Sequence, residues 1–279
     1  MNMVVVMTDT ATQRVEQTRR SRRFCIRKSN NFKGRSFMVD YFPTRIQLFF
    51  GILSIVIAAG CATTQSKQDY SSILADTERP DSEKALDAAR KPSEVLAFYG
   101  VKSGDKVADL LAGRGYYTAI LSKVVGPRGI VYSAVPKARP EMAARWKDRK
   151  FANVRLIEGP MDKLALPQDG SFDFVLTHLN YHDLAPDARI AMNKRILGAL
   201  KPGGVYGVVD HSAREGSGNE DVKTLHRIDK LLVIKEVTGA GFKLAKEGKM
   251  LSRPEDKRDF NVNKQRNVND RFVLAFQKP

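Results

Sequence analysis

The chain has 279 residues, 42% of them hydrophobic and 28% charged, which excludes wholesale disorder. Its length allows one or two domains at about 150 residues each. The formal net charge is +16, and only two cysteines, Cys25 and Cys61, are present, so a disulfide scaffold and a four-cysteine zinc site are excluded. The charge is uneven: residues 1–60 carry an excess of +7 and residues 61–279 the remaining +9.

From Ile46 to Gly60 the chain is apolar apart from Gln47 and Ser54, with Arg45 just before it. That run is short for a bilayer span, which needs about 20 residues, and suits the apolar core of a signal peptide. A signal beginning at Met38 has the usual proportions, so 1–37 reads as an upstream extension outside the fold and 38–60 as a lipoprotein-type signal peptide. Ala58-Ala59-Gly60-Cys61 resembles a bacterial lipobox. The resemblance implies cleavage before Cys61 and a lipid anchor there, placing the protein on the membrane of the bacterial cell envelope, facing the periplasm or exterior. Residues 61–80, polar at their start, read as a tether. The plainer alternative, an apolar helix with a chance cysteine, would leave the protein in the cytoplasm.

Beyond the tether, Asp81-Ser82-Glu83 and Pro92-Ser93-Glu94 open two helical patterns, the second stopped by Gly100. Short runs rich in Val, Ile and Leu follow at Lys106–Leu111, Gly129–Val135, Asn153–Glu158, Phe172–His178 and Gly204–Asp210. Helical patterns lie at about 115–125, 138–147, 186–200 and 221–240. Strands alternating with helices predict a largely parallel sheet covered on both faces. The tail, Phe242–Met250 and Phe272–Gln277, reads as two strands joined by a charged stretch too long for an ordinary hairpin turn. The expected fold is therefore α/β, with one domain over 81–279: a doubly wound, mostly parallel seven-stranded sheet ending in an antiparallel β-hairpin.

Asp109-Leu110-Leu111-Ala112-Gly113-Arg114-Gly115-Tyr116-Tyr117-Thr118 joins the first strand to its helix. Residues without bulk at such a bend let a ligand approach the backbone and the helix N-terminus. This loop resembles motif I of the class I S-adenosylmethionine-dependent methyltransferases, D-x-G-x-G-x-G. Lys201-Pro202-Gly203-Gly204 before the fifth strand and the closing hairpin extend the resemblance over most of 81–279. Asn180-Tyr181-His182-Asp183-Leu184, Leu225-His226-Arg227-Ile228-Asp229 and Ala240-Gly241-Phe242 look like a group of bacterial predicted methyltransferases, often exported. The resemblance implies a Rossmann-like methyltransferase fold, S-adenosylmethionine as cofactor and a small-molecule acceptor. It implies cofactor contacts from Asp109, Gly113, Gly115, Tyr117 and His178, with Asp162 near the adenine. Two departures stand out. Leu111 replaces the first motif glycine, and no carboxylate follows the second strand at Tyr132–Pro136, where the family holds the ribose; Glu141 is the nearest.

All four histidines fall between 178 and 226, three of them at ends of the fourth and fifth strands. Ligands bind at the carboxyl ends of such strands. Asn180, Tyr181, His182 and Asp183 occupy the loop that lines the methyl-acceptor site in many relatives, with His182 expected as the base and Asp183 orienting it. A second reading gives His178, His182, Asp183 and His211 to a divalent metal, on a non-catalytic ligand- or metal-binding envelope lipoprotein with the same fold. The basic residues of 253–271 are interleaved with Glu255, Asp256, Asp259 and Asp270, and Phe260 is the only aromatic residue among them. That pattern describes a solvated loop and argues against a nucleic-acid partner. An exported enzyme would also need S-adenosylmethionine outside the cytoplasm, where it is made.

Overall fold

The structure, a computed structural model, describes residues 70–265 and 267–279. The upstream extension, the signal peptide and the Cys61 anchor lie outside the described residues. Among those described, no helix is long and apolar enough to cross a membrane.

Four short helices come first: α1 (Tyr70–Leu74), α2 (Asp81–Lys84), α3 (Asp87–Arg90) and α4 (Pro92–Tyr99). Proline opens α4, and Gly100 closes it at φ 75°, its amide donating to the Leu96 carbonyl. Part of the expected tether is packed onto the domain. Tyr70 is buried and its hydroxyl donates to the Val101 carbonyl at 2.5 Å, so folded structure reaches back at least to residue 70.

The alternation then runs β1 (Lys106–Leu110), α5 (Tyr116–Val125), β2 (Ile130–Val135), α6 (Pro140–Arg145), β3 (Val154–Glu158), β4 (Phe172–His178), α7 (Pro186–Ala199) and β5 (Leu200–His211). After it come α8 (Val222–Leu225), α9 (Lys230–Gly239), β6 (Lys243–Gly248) and β7 (Arg271–Gln277). The seven strands form one sheet in the order β3-β2-β1-β4-β5-β7-β6. Strands β1 to β5 pair in parallel, while β7 runs antiparallel to both β5 and β6.

The period-2 geometry of a strand sends alternate side chains to opposite faces, and both faces here are apolar. In β7, Val273 and Ala275 join the core beneath α4 and α5, while Phe272, Leu274 and Phe276 join the core beneath α7 and α9. Phe174 and Leu176 of β4 likewise face the first layer and Val175 the second.

One expected helix is broken. The stretch 221–240 folds as α8 and α9, separated by His226 in the left-handed region at φ 53°. Arg227 behind it is fully buried, and Ile228 bridges to Ser212 beside the sheet. A continuous helix would bring neither residue to the sheet. Asp229 then restarts the helix by accepting the Leu231 amide at 2.9 Å.

Candidate active site

In this strand order the chain reverses its direction of growth between β1 and β4, and ligands bind beyond the strand ends at such a switch point. A cleft of about 950 Å³ opens there. Leu111 and Gly113 from the β1–α5 loop line it, facing His178 and Asn180 from the end of β4. Glu83 and Arg145 line its outer side, and the Arg145 guanidinium donates to the Glu83 carboxylate at 2.5 Å. Arg79 holds Asp87 bidentately at 2.7 Å, and the Tyr116 hydroxyl donates to the same carboxylate at 2.6 Å. These bonds fasten the N-terminal helices to the glycine loop as one wall.

Three residues of that loop have positive φ: Leu111 at 55°, Gly113 at 60° and Gly115 at 82°. The two glycines have different reasons. A Cβ on Gly113 would lie 4.0 Å from its nearest neighbour, the Leu111 carbonyl, so the space beside it belongs to the cleft. A Cβ on Gly115 would fall 2.2 Å from the Trp146 ring, so this glycine makes room for the indole and does not line the cleft. Leu111 adopts a conformation that costs a side-chain-bearing residue about 1–2 kcal/mol. The Asn180 amide restrains it by donating to the Leu111 carbonyl at 2.7 Å.

Asp109 also stands behind the loop and not in the cleft. It is buried and accepts the Thr118 hydroxyl at 2.6 Å, while Thr118 lies 3.0 Å from the Ser133 hydroxyl. Burial outweighs these bonds and pushes the Asp109 carboxyl up to about 6. A carboxyl raised on folding contributes stability below its unfolded value, and that contribution is lost as pH rises through 6. Asp109→Asn, which keeps an acceptor for Thr118, should therefore match the parent at pH 4. At pH 7–8 it should be more stable by up to ~3 kcal/mol, read as a higher Tm. Equal Tm values at both pH values would show that the buried carboxylate carries no such cost.

Four residues that line the cleft carry a buried polar atom without a hydrogen-bond partner among the described residues: Arg79 Nε, Glu83 Oε2, His178 Nε2 and Asn180 Oδ1. Burial, then Arg90 and Arg271, hold His178 well below the usual histidine range, so it is neutral. Tyr117 is buried against it, ring centroids 4.5 Å apart, and supports it from outside the cleft. Asp162 lies in a 3-10 turn, Met161–Lys163, that does not line the cleft. Glu141 does line it.

The expected acceptor loop divides in two. A 3-10 turn, Tyr181–Asp183, sends successive side chains in three directions. Tyr181 turns into the helical layer, fully buried, its hydroxyl donating to Glu236 at 2.8 Å and accepting from Asn193 at 2.8 Å. It is a core residue and cannot touch an acceptor. Asn180 belongs to the cleft described above. His182 turns toward the end of β5, where Asp210 receives its Nδ1–H at 2.8 Å and its backbone N–H at 2.9 Å. Asp210 also accepts the His211 amide at 2.7 Å. Burial works against charge on both partners, yet the pair overcomes it: Asp210 is lowered and His182 raised. The orienting carboxylate is thus Asp210, 28 residues away, and Asp183 instead lies 3.3 Å from the opposite nitrogen, Nε2. His226 comes in from the break between α8 and α9, its Nδ1 3.9 Å from Asp183. His211 is turned away: burial pushes it down to about 3 and its Nδ1 lies 2.5 Å from the Asn269 amide. Its position at the end of the fifth strand puts Asp210 at the cleft from sequence alone; His226 stands in the Leu225–Asp229 motif, but as one residue of an expected helix it gave no sign of reaching Asp183.

Solved structures share this architecture. An S-adenosylmethionine-dependent methyltransferase from Aquifex aeolicus superimposes with a TM-score of 0.53 at 20% identity, over 76% of this chain and 99% of its own. The fold is that of a class I methyltransferase. A 1,6-didemethyltoxoflavin-N1-methyltransferase from Burkholderia thailandensis, solved with S-adenosylhomocysteine, superimposes on the same methyltransferase fold with a TM-score of 0.52 at 21% identity, over 71% and 82% of the two chains. Residues 107–204 match a family described as methyltransferase domain. Demethylmenaquinone methyltransferase of Staphylococcus aureus is 35% identical over 112 residues, 40% of this chain and 45% of that protein. The match thus spans less than half the length of these curated relatives.

Proposed function

We propose that the protein is an S-adenosylmethionine-dependent methyltransferase acting on a small-molecule acceptor. The observation that carries this is the 950 Å³ cleft at the β1/β4 switch point, opening beside the end of β4 where His182 and Asp183 follow. The cleft fits the cofactor in its chemistry. Gly113 leaves space for close approach, and His178 Nε2 and Asn180 Oδ1 offer buried polar atoms with no partner among the described residues. Those residues would hold the cofactor, which supplies an electrophilic methyl group. With its proton on Nδ1 for Asp210, and no ion on Nε2, His182 presents the Nε2 lone pair where an acceptor's hydroxyl or protonated amine would be received. The relatives' small-molecule acceptors support the same class of substrate, and the Cys61 anchor would hold the enzyme at a membrane.

Calorimetric titration of the full chain with S-adenosylmethionine and S-adenosylhomocysteine tests the reading; binding in the micromolar range is expected. Gly113→Val forces a branched residue into the left-handed region and fills the cleft, so affinity should fall at least about 10-fold with the fold intact. His182→Ala should leave that affinity unchanged and abolish methyl transfer, followed as S-adenosylhomocysteine release across a panel of small-molecule acceptors. A folded chain that binds neither compound would end the proposal.

A further inference from the structure

We infer that His182 Nε2, a carboxylate oxygen of Asp183 and His226 Nδ1 form a binding site for one divalent transition-metal ion. These three atoms lie within 4.8 Å of one another, His182 to Asp183 at 3.3 Å and Asp183 to His226 at 3.9 Å. Ligands about 2.0–2.2 Å from a zinc-like ion sit about 3.0–3.5 Å apart, so closing the site takes only a small movement of two side chains. The two that must move are those that can: Asp183 is exposed and His226 is 37% exposed, whereas His182 is fixed at 4%.

The chemistry of the cluster favours a cation. The Nδ1–H of His182 is committed to Asp210, which turns the Nε2 lone pair toward the Asp183 carboxylate. In the neutral imidazole two electron-pair donors then face each other across 3.3 Å, a gap that a metal ion closes as a proton on Nε2 does. A carboxylate behind a histidine is also the arrangement that fixes the tautomer and orientation of metal-binding imidazoles. Asp210 is unusually firm in that role, because it is fully buried and accepts two backbone amides besides the ring.

The backbone of His226 is fixed while its side chain stays free to adjust. It sits at φ 53°, and Arg227 next to it is anchored by the Ser212 carbonyl at 2.9 Å and the Asp256 carboxylate at 2.8 Å. The backbone that breaks the helix at this point spends strain to deliver an imidazole to Asp183. Two histidines and one carboxylate leave coordination positions open, as catalytic sites do, and this set suits iron, manganese or zinc. The metal site differs from the set expected in the sequence: His178 belongs to the cofactor cleft and the His211 nitrogen faces Asn269, while His226 takes their place. Resting on the methyltransferase reading, a bound ion would take the Nε2 lone pair out of the base role and act in its stead, its open positions holding an oxygen of the acceptor and lowering that oxygen's pKa.

The test is titration of metal-free full-length protein with Mn2+, a cation that avoids Cys25 and Cys61, by calorimetry and by the electron paramagnetic resonance signal of bound ion. One equivalent should bind in the micromolar range or tighter. His226→Ala and Asp183→Asn, both at accessible positions that a folded chain tolerates, should each weaken it about 100-fold, while His178→Ala should leave it unchanged. No binding by the folded parent, or equal binding by the His226 and Asp183 variants, overturns the proposal. S-adenosylmethionine titrated in the same samples separates the two readings. Ion binding without cofactor binding would leave the metal site standing and remove the methyltransferase; cofactor binding without ion binding would do the reverse.

Discussion

Asp210→Asn is expected to slow methyl transfer by about 10²–10⁴-fold while leaving the fold and cofactor affinity in place. Asp210 is an acceptor on every side: it takes the His182 ring N–H, the His182 amide and the His211 amide. An asparagine of the same shape offers one oxygen and one NH2 group. The His182 amide goes to Oδ2, while the ring N–H and the His211 amide share Oδ1; if the asparagine oxygen keeps the His182 amide, its NH2 group confronts the ring nitrogen, and His182 must move its proton to Nε2. The lone pair then faces Asp210 and not the acceptor. Long-range nitrogen–proton NMR of the imidazole reads this directly, with Nδ1–H expected in the parent and Nε2–H in the variant. Metal affinity should fall in parallel by about 10–100-fold, as it does when the partner behind a ligating histidine is lost. An unchanged tautomer and an unchanged rate would make Asp210 merely a structural carboxylate.

The second large effect is one of stability. Arg227→Ala should cost about 3–5 kcal/mol, read from urea unfolding, because it leaves Asp256 buried without its counter-charge. Both side chains have no exposed surface. The guanidinium also donates to the Ser212 carbonyl at 2.9 Å and the Phe260 carbonyl at 3.1 Å, and it stacks over the Phe260 ring at 4.6 Å. Asp256 in turn accepts the Arg258 and Asp270 amides, and Arg258 pairs with Asp270 at 2.9 Å. The charged stretch between β6 and β7 is therefore clamped to the domain at Asp256 and Asp270, while Glu255, Lys257, Asp259 and Lys264 stay exposed as in a solvated loop. Limited proteolysis within 251–270 should become rapid in the variant. Pairing Arg227→Met with Asp256→Leu should recover much of the loss, since an apolar pair leaves no orphaned charge.

The sheet was legible because burial on both faces writes itself as runs of Val, Ile and Leu, and all seven strands fall within a few residues of those runs. The glycine loop was legible by position, between a strand and a helix. The site was less so, for definite reasons. Spacing along the chain placed His182 beside Asp183, but which atom faces which depends on a 3-10 turn that rotates Tyr181 into the core. The Asp210 and Asp256 partnerships span 28 and 29 residues and carry no periodic signal. Gly115 looked like a cofactor glycine because motif position cannot tell a missing side chain that admits a ligand from one that admits Trp146.

The place of β7 carries a consequence for how the molecule comes together. Strands β5 and β6 are separated by the strand that is translated after both of them. Until Arg271–Gln277 has left the ribosome, the backbone groups of β5 that face it have no partner, and Phe272, Leu274 and Phe276 are missing from one of the two core layers. The nascent chain must hold an open seam through the synthesis of everything from Ser212 onward, and the sheet closes like a drawer from the middle. Closure of the sheet thus waits on β7, whatever the speed of the earlier βα units.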